Sequence, residues 1–205
     1  MIPGESMPAA TFASALWPAP SIGSSSRLAA AMRVAVLMIV GAVALWLSAK
    51  IKVGFPVPMT MQTFVVLTIG AAYGARLGAA TVLLYLVEGA LGLPVFADTP
   101  ERGVGLAYMM GPTGGYLVGF VAGAFIVGWL AERGWDRSVV KLFAAMAIGH
   151  VVLIGFGFAW LAVNHGAGMA WTVGVAPFYA ATIYKTLLGA LAMPAGWALL
   201  KSARR

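Results

Sequence analysis

The sequence predicts an all-α integral membrane protein, a bundle of six transmembrane helices with both termini cytoplasmic. Three observations carry that prediction. First, 61% of the 205 residues are hydrophobic and only 9% are charged, with a mean hydropathy of +0.93; a soluble domain carries roughly 25% charged residues. So little polar surface cannot cover a water-exposed globule, and lipid is the expected solvent. Second, the apolar residues come in long unbroken runs rather than in alternation, which favours spanning helices over a barrel. Third, the basic residues fall between those runs, most of them at one set of flanks.

The elements follow in order. Met1 to Ser26 is rich in Pro, Ala and Ser and holds no Lys or Arg. It lacks the basic start and apolar core of a signal peptide, and reads as a disordered tail, with Met7 as an alternative start. The first crossing runs over about 27–47, interrupted by Arg33 alone. Phe55-Pro56-Val57-Pro58 then denies backbone donors to any helix and reads as a loop or a re-entrant approach. A short second crossing covers about 59–73, and a third covers about 77–91, stopped by Gly92-Leu93-Pro94. A polar stretch around Asp98, Glu101 and Arg102 leads to Gly111-Pro112-Thr113-Gly114-Gly115-Tyr116, a tight turn into the fourth crossing at about 116–130. The fifth covers about 139–163 and the sixth about 176–200. Residues 27–205 thus form one transmembrane domain.

Charge sets the orientation. With a cytoplasmic N-terminus, nine basic residues flank the inner side: Arg27, Arg33, Arg76, Arg133, Arg137, Lys141, Lys201, Arg204 and Arg205. Only three, Lys50, Lys52 and Arg102, flank the outer side. That is the asymmetry the positive-inside rule expects, and it requires an even number of crossings. The net charge of +7 therefore reports topology, and no nucleic-acid partner is expected, since the cations are not interleaved with aromatics in one patch. Cysteine is absent, which removes disulfide and thiolate chemistry.

Few residues inside the runs carry chemistry. Lys185 lies deep in the sixth, within Thr182-Ile183-Tyr184-Lys185-Thr186. An ammonium at that depth costs about 2.5–3.5 kcal/mol on insertion scales, so it is expected to face the bundle interior and meet an anion of the protein or of a ligand. Glu88 lies near the outer end of the third run, three residues after Tyr85 on the same face; it either reaches the headgroups or enters the same pocket to balance Lys185. Gln62, at the mouth of the second crossing, fits a ligand contact or an interhelical hydrogen bond equally well. His150 stands alone in the fifth run and is expected to be a packed neutral side chain; no metal site and no cofactor are expected. Ala31 and Ala35 make a small-xxx-small pair, by chance or as a partner-binding surface. The Gly111–Tyr116 segment lacks the spacing and the Lys of a nucleotide-binding P-loop, and no nucleophile triad or dinucleotide fingerprint occurs, so an enzyme is not expected.

Several segments, in this order, are specific. They are Val57-Pro58-Met59-Thr60-Met61-Gln62-Thr63, Leu83-Leu84-Tyr85-Leu86, Gly89-Ala90-Leu91-Gly92-Leu93-Pro94-Val95-Phe96, and Met110-Gly111-Pro112-Thr113-Gly114-Gly115-Tyr116-Leu117-Val118-Gly119-Phe120. Through them the chain resembles the BioY family, the biotin-binding S component of energy-coupling-factor (ECF) transporters. The resemblance implies a six-helix bundle in the cytoplasmic membrane with an outward pocket for biotin. It also implies a membrane coupling protein and two ATPase subunits as partners, with contact through the first-helix pair Ala31 and Ala35. In the family's sixth helix an acid often stands three residues before the lysine; here the lysine is Lys185 and the acid position is Thr182. Arg102 corresponds to a basic ligand contact. Biotin is apolar but for a ureido group and a carboxylate, which asks for hydrophobic walls and a few polar anchors. Lys185 or Arg102 is expected to neutralise the carboxylate. Glu88, Gln62, Thr182 or Tyr85 is expected to meet the ureido group, and Tyr116 or a Trp to cover the ring. The alternatives are an S component for another small vitamin, or an intramembrane enzyme using Glu88 and Lys185.

Overall fold

The structure, a computed structural model, describes residues 10–18, 24–53 and 59–203. The Phe55–Pro58 loop and Arg204–Arg205 lie outside the described residues, as do 1–9 and 19–23. The described residues are all-α apart from one short hairpin. In order come α1 (Phe12–Leu16), α2 (Ser24–Lys50), β1 (Lys52–Val53), β2 (Met59–Thr60), α3 (Gln62–Tyr73), α4 (Ala75–Ala90), α5 (Gly105–Met109), α6 (Gly114–Ala131), α7 (Val139–His165), α8 (Ala167–Gly174) and α9 (Tyr179–Ser202). Short 3-10 turns at Trp135–Arg137 and Ala176–Phe178 precede α7 and α9.

Among the described residues, four stretches are long and apolar enough to cross a membrane: Arg27–Lys50, Gly114–Ala131, Val139–His165 and Ala167–Ser202. The second and third expected crossings are α3 and α4, of 12 and 16 residues. At 1.5 Å per residue they reach roughly 18 and 24 Å, short of the ~30 Å hydrocarbon core. Gly74, at φ +85°, turns one directly into the other; an L side chain at that angle would be strained.

The core follows from small residues that let backbones meet. Gly115, Gly119 and Gly123 recur every four residues on α6 and face α7. A Cβ at Gly119 would lie 2.8 Å from the Leu153 carbonyl oxygen, so no larger residue fits without moving α7. Around this contact Val66, Leu67, Val82, Tyr85, Ala124, Val127, Leu142 and Met146 are fully buried. α2 differs. It buries Ala42, Leu45 and Ala49 near its C-terminal end, and exposes Leu28, Met32, Val36, Ile39, Val40 and Val43.

The first 26 residues read as a disordered tail, yet residues 10–18 are ordered and docked. Thr11 caps α1 through the Ser14 amide, and Ala13 is buried. Arg33 of α2 donates to the carbonyls of Trp17 (2.6 Å) and Ala13 (3.1 Å), and Phe12 packs edge-on against Trp197 with centroids 5.4 Å apart. The segment is held by groups 16 or more residues away, which its own Pro- and Ala-rich composition does not announce.

At the same end, Trp197 Nε1 donates to Asp136 Oδ2 at 2.6 Å and fixes α9 to the α6–α7 turn. Burial pushes the Asp136 carboxyl above the usual carboxylate range, against the opposing pull of that hydrogen bond. Arg33, Arg76 and Arg137 gather around α1 at this end. Lys50, Lys52 and Arg102 sit together at the other end of α2.

Candidate functional site

The site is assembled where α3, α7 and α9 meet. Gly189 of α9 leaves room there: a Cβ on it would collide with the Met146 thioether of α7 and come to 3.5 Å from the Phe64 ring of α3. These three residues form an apolar floor. The neighbouring contacts fix the directions: His150 meets Thr186 while Thr60 and Thr63 meet Lys185, so α3 runs with α9 and α7 against both. One helical turn from the floor, on the side of the β1–β2 hairpin, therefore come Lys185, His150 and Thr60 in one polar layer.

Lys185 is 5% exposed. Its Nζ donates to the Thr60 carbonyl at 2.8 Å and to the Thr63 hydroxyl at 3.3 Å. Both acceptors are neutral, and the ion pairs among the described residues are Lys52–Asp98 and Arg102–Asp98. The expected protein counter-charge is therefore not Glu88, which is half-buried and forms no ion pair with Lys185. An ammonium has three N–H donors, so one is left without a partner among the described residues.

The hairpin brings the acceptor in. Lys52 pairs with Thr60, and the Met61 amide donates to Ile51 at 2.9 Å, which sets β2 and the start of α3 over the α9 face. Next to it, Gln62 Nε2 donates to the Tyr85 hydroxyl at 2.6 Å, and Tyr85 donates on to the Val95 carbonyl at 2.8 Å. Tyr85 is wholly buried, stacked edge-on against Phe96, and Gln62 is 5% exposed. The amide oxygen of Gln62 accepts from no described residue.

The other expected residues are spread more widely. Thr182 is half-buried, and its carbonyl accepts from the Thr186 hydroxyl at 2.8 Å. Tyr116 belongs to another junction: its hydroxyl donates to the Gly174 carbonyl at 2.6 Å, and its ring stacks on Phe178. Arg102 is exposed and reaches Asp98 at 3.4 Å, in an open pocket of about 530 Å³ that it shares with Lys50, Lys52, Thr99 and Glu101. Ala31 and Ala35 are exposed on the bare stretch of α2.

Residues 21–202 match the family model described as the BioY family. The chain belongs to the BioY family. A biotin transporter BioY of Rhizobium etli is 41% identical over 170 residues, covering 77% of this chain and 89% of that protein. A biotin transporter BioY of Thermotoga maritima is 37% identical over 155 residues, or 76% of this chain and 86% of its own. Among solved structures, the S-component for biotin from an ECF-type ABC transporter superposes with a TM-score of 0.69 over 85% of this chain and 94% of that one. At 19% identity that likeness speaks for the fold. A BioY chain is a transporter component, not an enzyme.

Within this BioY chain the sequence pointed to Lys185, Gln62 and Tyr85 but missed what holds them. Thr60 and Thr63 lie inside the Met59-Thr60-Met61-Gln62-Thr63 segment, Thr60 on β2 and Thr63 in the first turn of α3, and a hydroxyl entering an apolar helix is the signal that marks Thr63. Val95 and Thr60 act through backbone carbonyls, for which a sequence carries no signal. His150, expected to be a packed neutral side chain, is buried as such, and it also meets Thr186 beside Lys185.

Proposed function

We propose that this chain captures biotin at the outer side of the cytoplasmic membrane and passes it inward as the substrate-specific subunit of an ECF-type transporter. Close relatives named as biotin transporters support the substrate. The observation that carries the mechanism is Lys185, buried and, among the described residues, held only by neutral oxygens. A buried cation without a counter-ion is costly, and a ligand oxygen at its third N–H lowers that cost.

In this proposal α2, α3, α4, α6, α7 and α9 make six crossings, with both termini cytoplasmic and residues 27–205 forming the substrate domain. The short α3 and α4 support an outward pocket, because the hairpin and the 91–104 loop then fill the remaining depth. Irregular backbone is tolerated at that depth where it is buried in protein or lines a cavity. Gln62, Tyr85, Thr182 and Glu88 lie toward that side as polar anchors, with Tyr116 closing the α6–α8 flank. Lys185 is the deep cation and Arg102 the outer one, and one of them neutralises the biotin carboxylate. The Ala31–Ala35 face takes the membrane coupling protein, and two ATPase subunits drive the change of access.

Titration of the purified chain in detergent with biotin, and with its methyl ester, tests this. Biotin is expected to bind, Lys185→Met to weaken it strongly, and the ester to lose affinity in the wild type. Unchanged biotin affinity in Lys185→Met, or preference for another vitamin, overturns the proposal.

A further inference from the structure

Resting on the biotin reading, we infer that His150 is a substrate-binding residue whose Nε2 accepts a hydrogen bond from a ureido N–H of biotin. His150 is 1% exposed, in the middle of α7. Its Nδ1 lies 3.1 Å from the Met146 carbonyl and 3.1 Å from the Thr186 hydroxyl. The carbonyl can only accept, so Nδ1 carries the proton. The Thr186 hydroxyl has one proton, committed to the Thr182 carbonyl at 2.8 Å, and so it too accepts from Nδ1. The tautomer is thereby fixed, and Nε2 is a bare lone pair.

That nitrogen has no hydrogen-bond partner, one of two such atoms among the buried side chains of the described residues. The other, Asp136 Oδ1, lies at the opposite end of the bundle, on the α6–α7 turn. Leaving a buried acceptor unsatisfied is costly, so such an atom calls for a donor.

Its place in the fold says which donor. His150 lies one turn from Met146 as Lys185 lies one turn from Gly189, over the same apolar floor and on the same side. The layer thus offers a bare acceptor on α7 and an N–H on α9 that is uncommitted among the described residues. A cyclic ureide carries an N–H beside a C=O and matches a donor and an acceptor set side by side; a carboxylate has no N–H to give. Packing alone explains a buried imidazole but gives no reason for Nε2 to go unmet.

Amide substitutions separate the two ring nitrogens. Glutamine places a polar group near Nε2, whereas asparagine places one near Nδ1. The full chain is purified as wild type, His150→Gln, His150→Asn and His150→Leu, and titrated with biotin and with the two mono-N-methyl biotins. Thermal unfolding without ligand is followed in parallel. Biotin affinity is expected within about threefold of wild type in His150→Gln, and at least tenfold weaker in His150→Asn and His150→Leu, a loss fitting one buried hydrogen bond. One N-methyl isomer should bind the wild type weakly, with no further loss in His150→Leu. Rescue by Asn in place of Gln overturns the assignment in favour of a positioning role through Thr186. Equal affinity in all four proteins, or affinity losses that merely follow unfolding temperature, overturns it in favour of packing. A wild type that binds no biotin removes the parent reading, and the assignment with it.

Discussion

Lys185 and Lys52 are both tied to the loop that enters α3, and they are held in opposite ways. Lys52, half-exposed at the rim of the bundle, has a carboxylate partner in Asp98. Lys185, almost wholly buried, has a backbone carbonyl and a hydroxyl. Were stability the only purpose, the acid would be expected inside, where an unpaired charge is most costly, and not outside, where an ion pair contributes at most about 1 kcal/mol. On the proposed reading, the rim pair serves the protein, while the inner cation is kept for an arriving ligand.

The largest effect should come from breaking that difference. Lys185→Met is expected to lower biotin affinity at least a hundredfold while leaving the ligand-free protein as stable as the wild type or more so, because the buried charge is gone. Titration with parallel thermal unfolding reads both quantities. If affinity and stability fall together, Lys185 is a structural residue like Lys52 and the contrast fails.

The exposed α2 face sharpens the comparison from outside. Replacing Ala31 and Ala35 with Leu should leave biotin titration unchanged and lower cellular uptake roughly tenfold when the partner subunits are present, through loss of close helix approach. A smaller loss is expected for Tyr85→Phe, which removes the hydroxyl linking Gln62 to Val95. About 1–2 kcal/mol of stability should go with it, measured by unfolding, with biotin affinity reduced severalfold.

How much of this was legible in the sequence depends on the kind of contact. The long runs that became α2, α6, α7 and α9 were plain, because continuous hydrophobicity is a local signal. α8 was not. Its eight residues, Ala167–Gly174, fall between the fifth and sixth expected crossings, where no element is expected. α1 was missed because Arg33 and Trp197 hold it from afar. The same division runs through the site. Lys185, Gln62 and Tyr85 stood out as polar groups in apolar runs, whereas the Thr60 and Val95 carbonyls that receive their protons were invisible. His150 was read as packing because the sequence shows no second metal ligand near it. Only the fold places it beside Thr186 and in the layer of Lys185. The glycine stripe Gly115–Gly119–Gly123 was in plain view but went unread as a helix contact, since glycine is abundant throughout the chain.

The smallest expected effect belongs to the rim. Asp98 takes φ +55°, a left-handed conformation that Asp and Asn adopt more readily than other non-glycine residues, so Asp98→Asn removes the charge without straining the backbone. The hydrogen bond and charge of Lys52, with Arg102 and Lys50 adding to them, hold the Asp98 carboxyl below its ordinary range, against a smaller opposing effect of burial. A depressed folded value contributes stability at neutral pH, and that contribution disappears as pH falls through the depressed value. With Lys52 half-exposed, the contribution should amount to a few tenths of a kcal/mol, and 1 M salt should reduce it. Wild type and Asp98→Asn should therefore unfold at slightly different temperatures at pH 7 and converge in acid below about pH 4. A gap that persists in acid and in high salt would make Asp98 a hydrogen-bonding residue of the 91–104 loop, and the rim would then owe its order to neutral contacts, as Lys185 does.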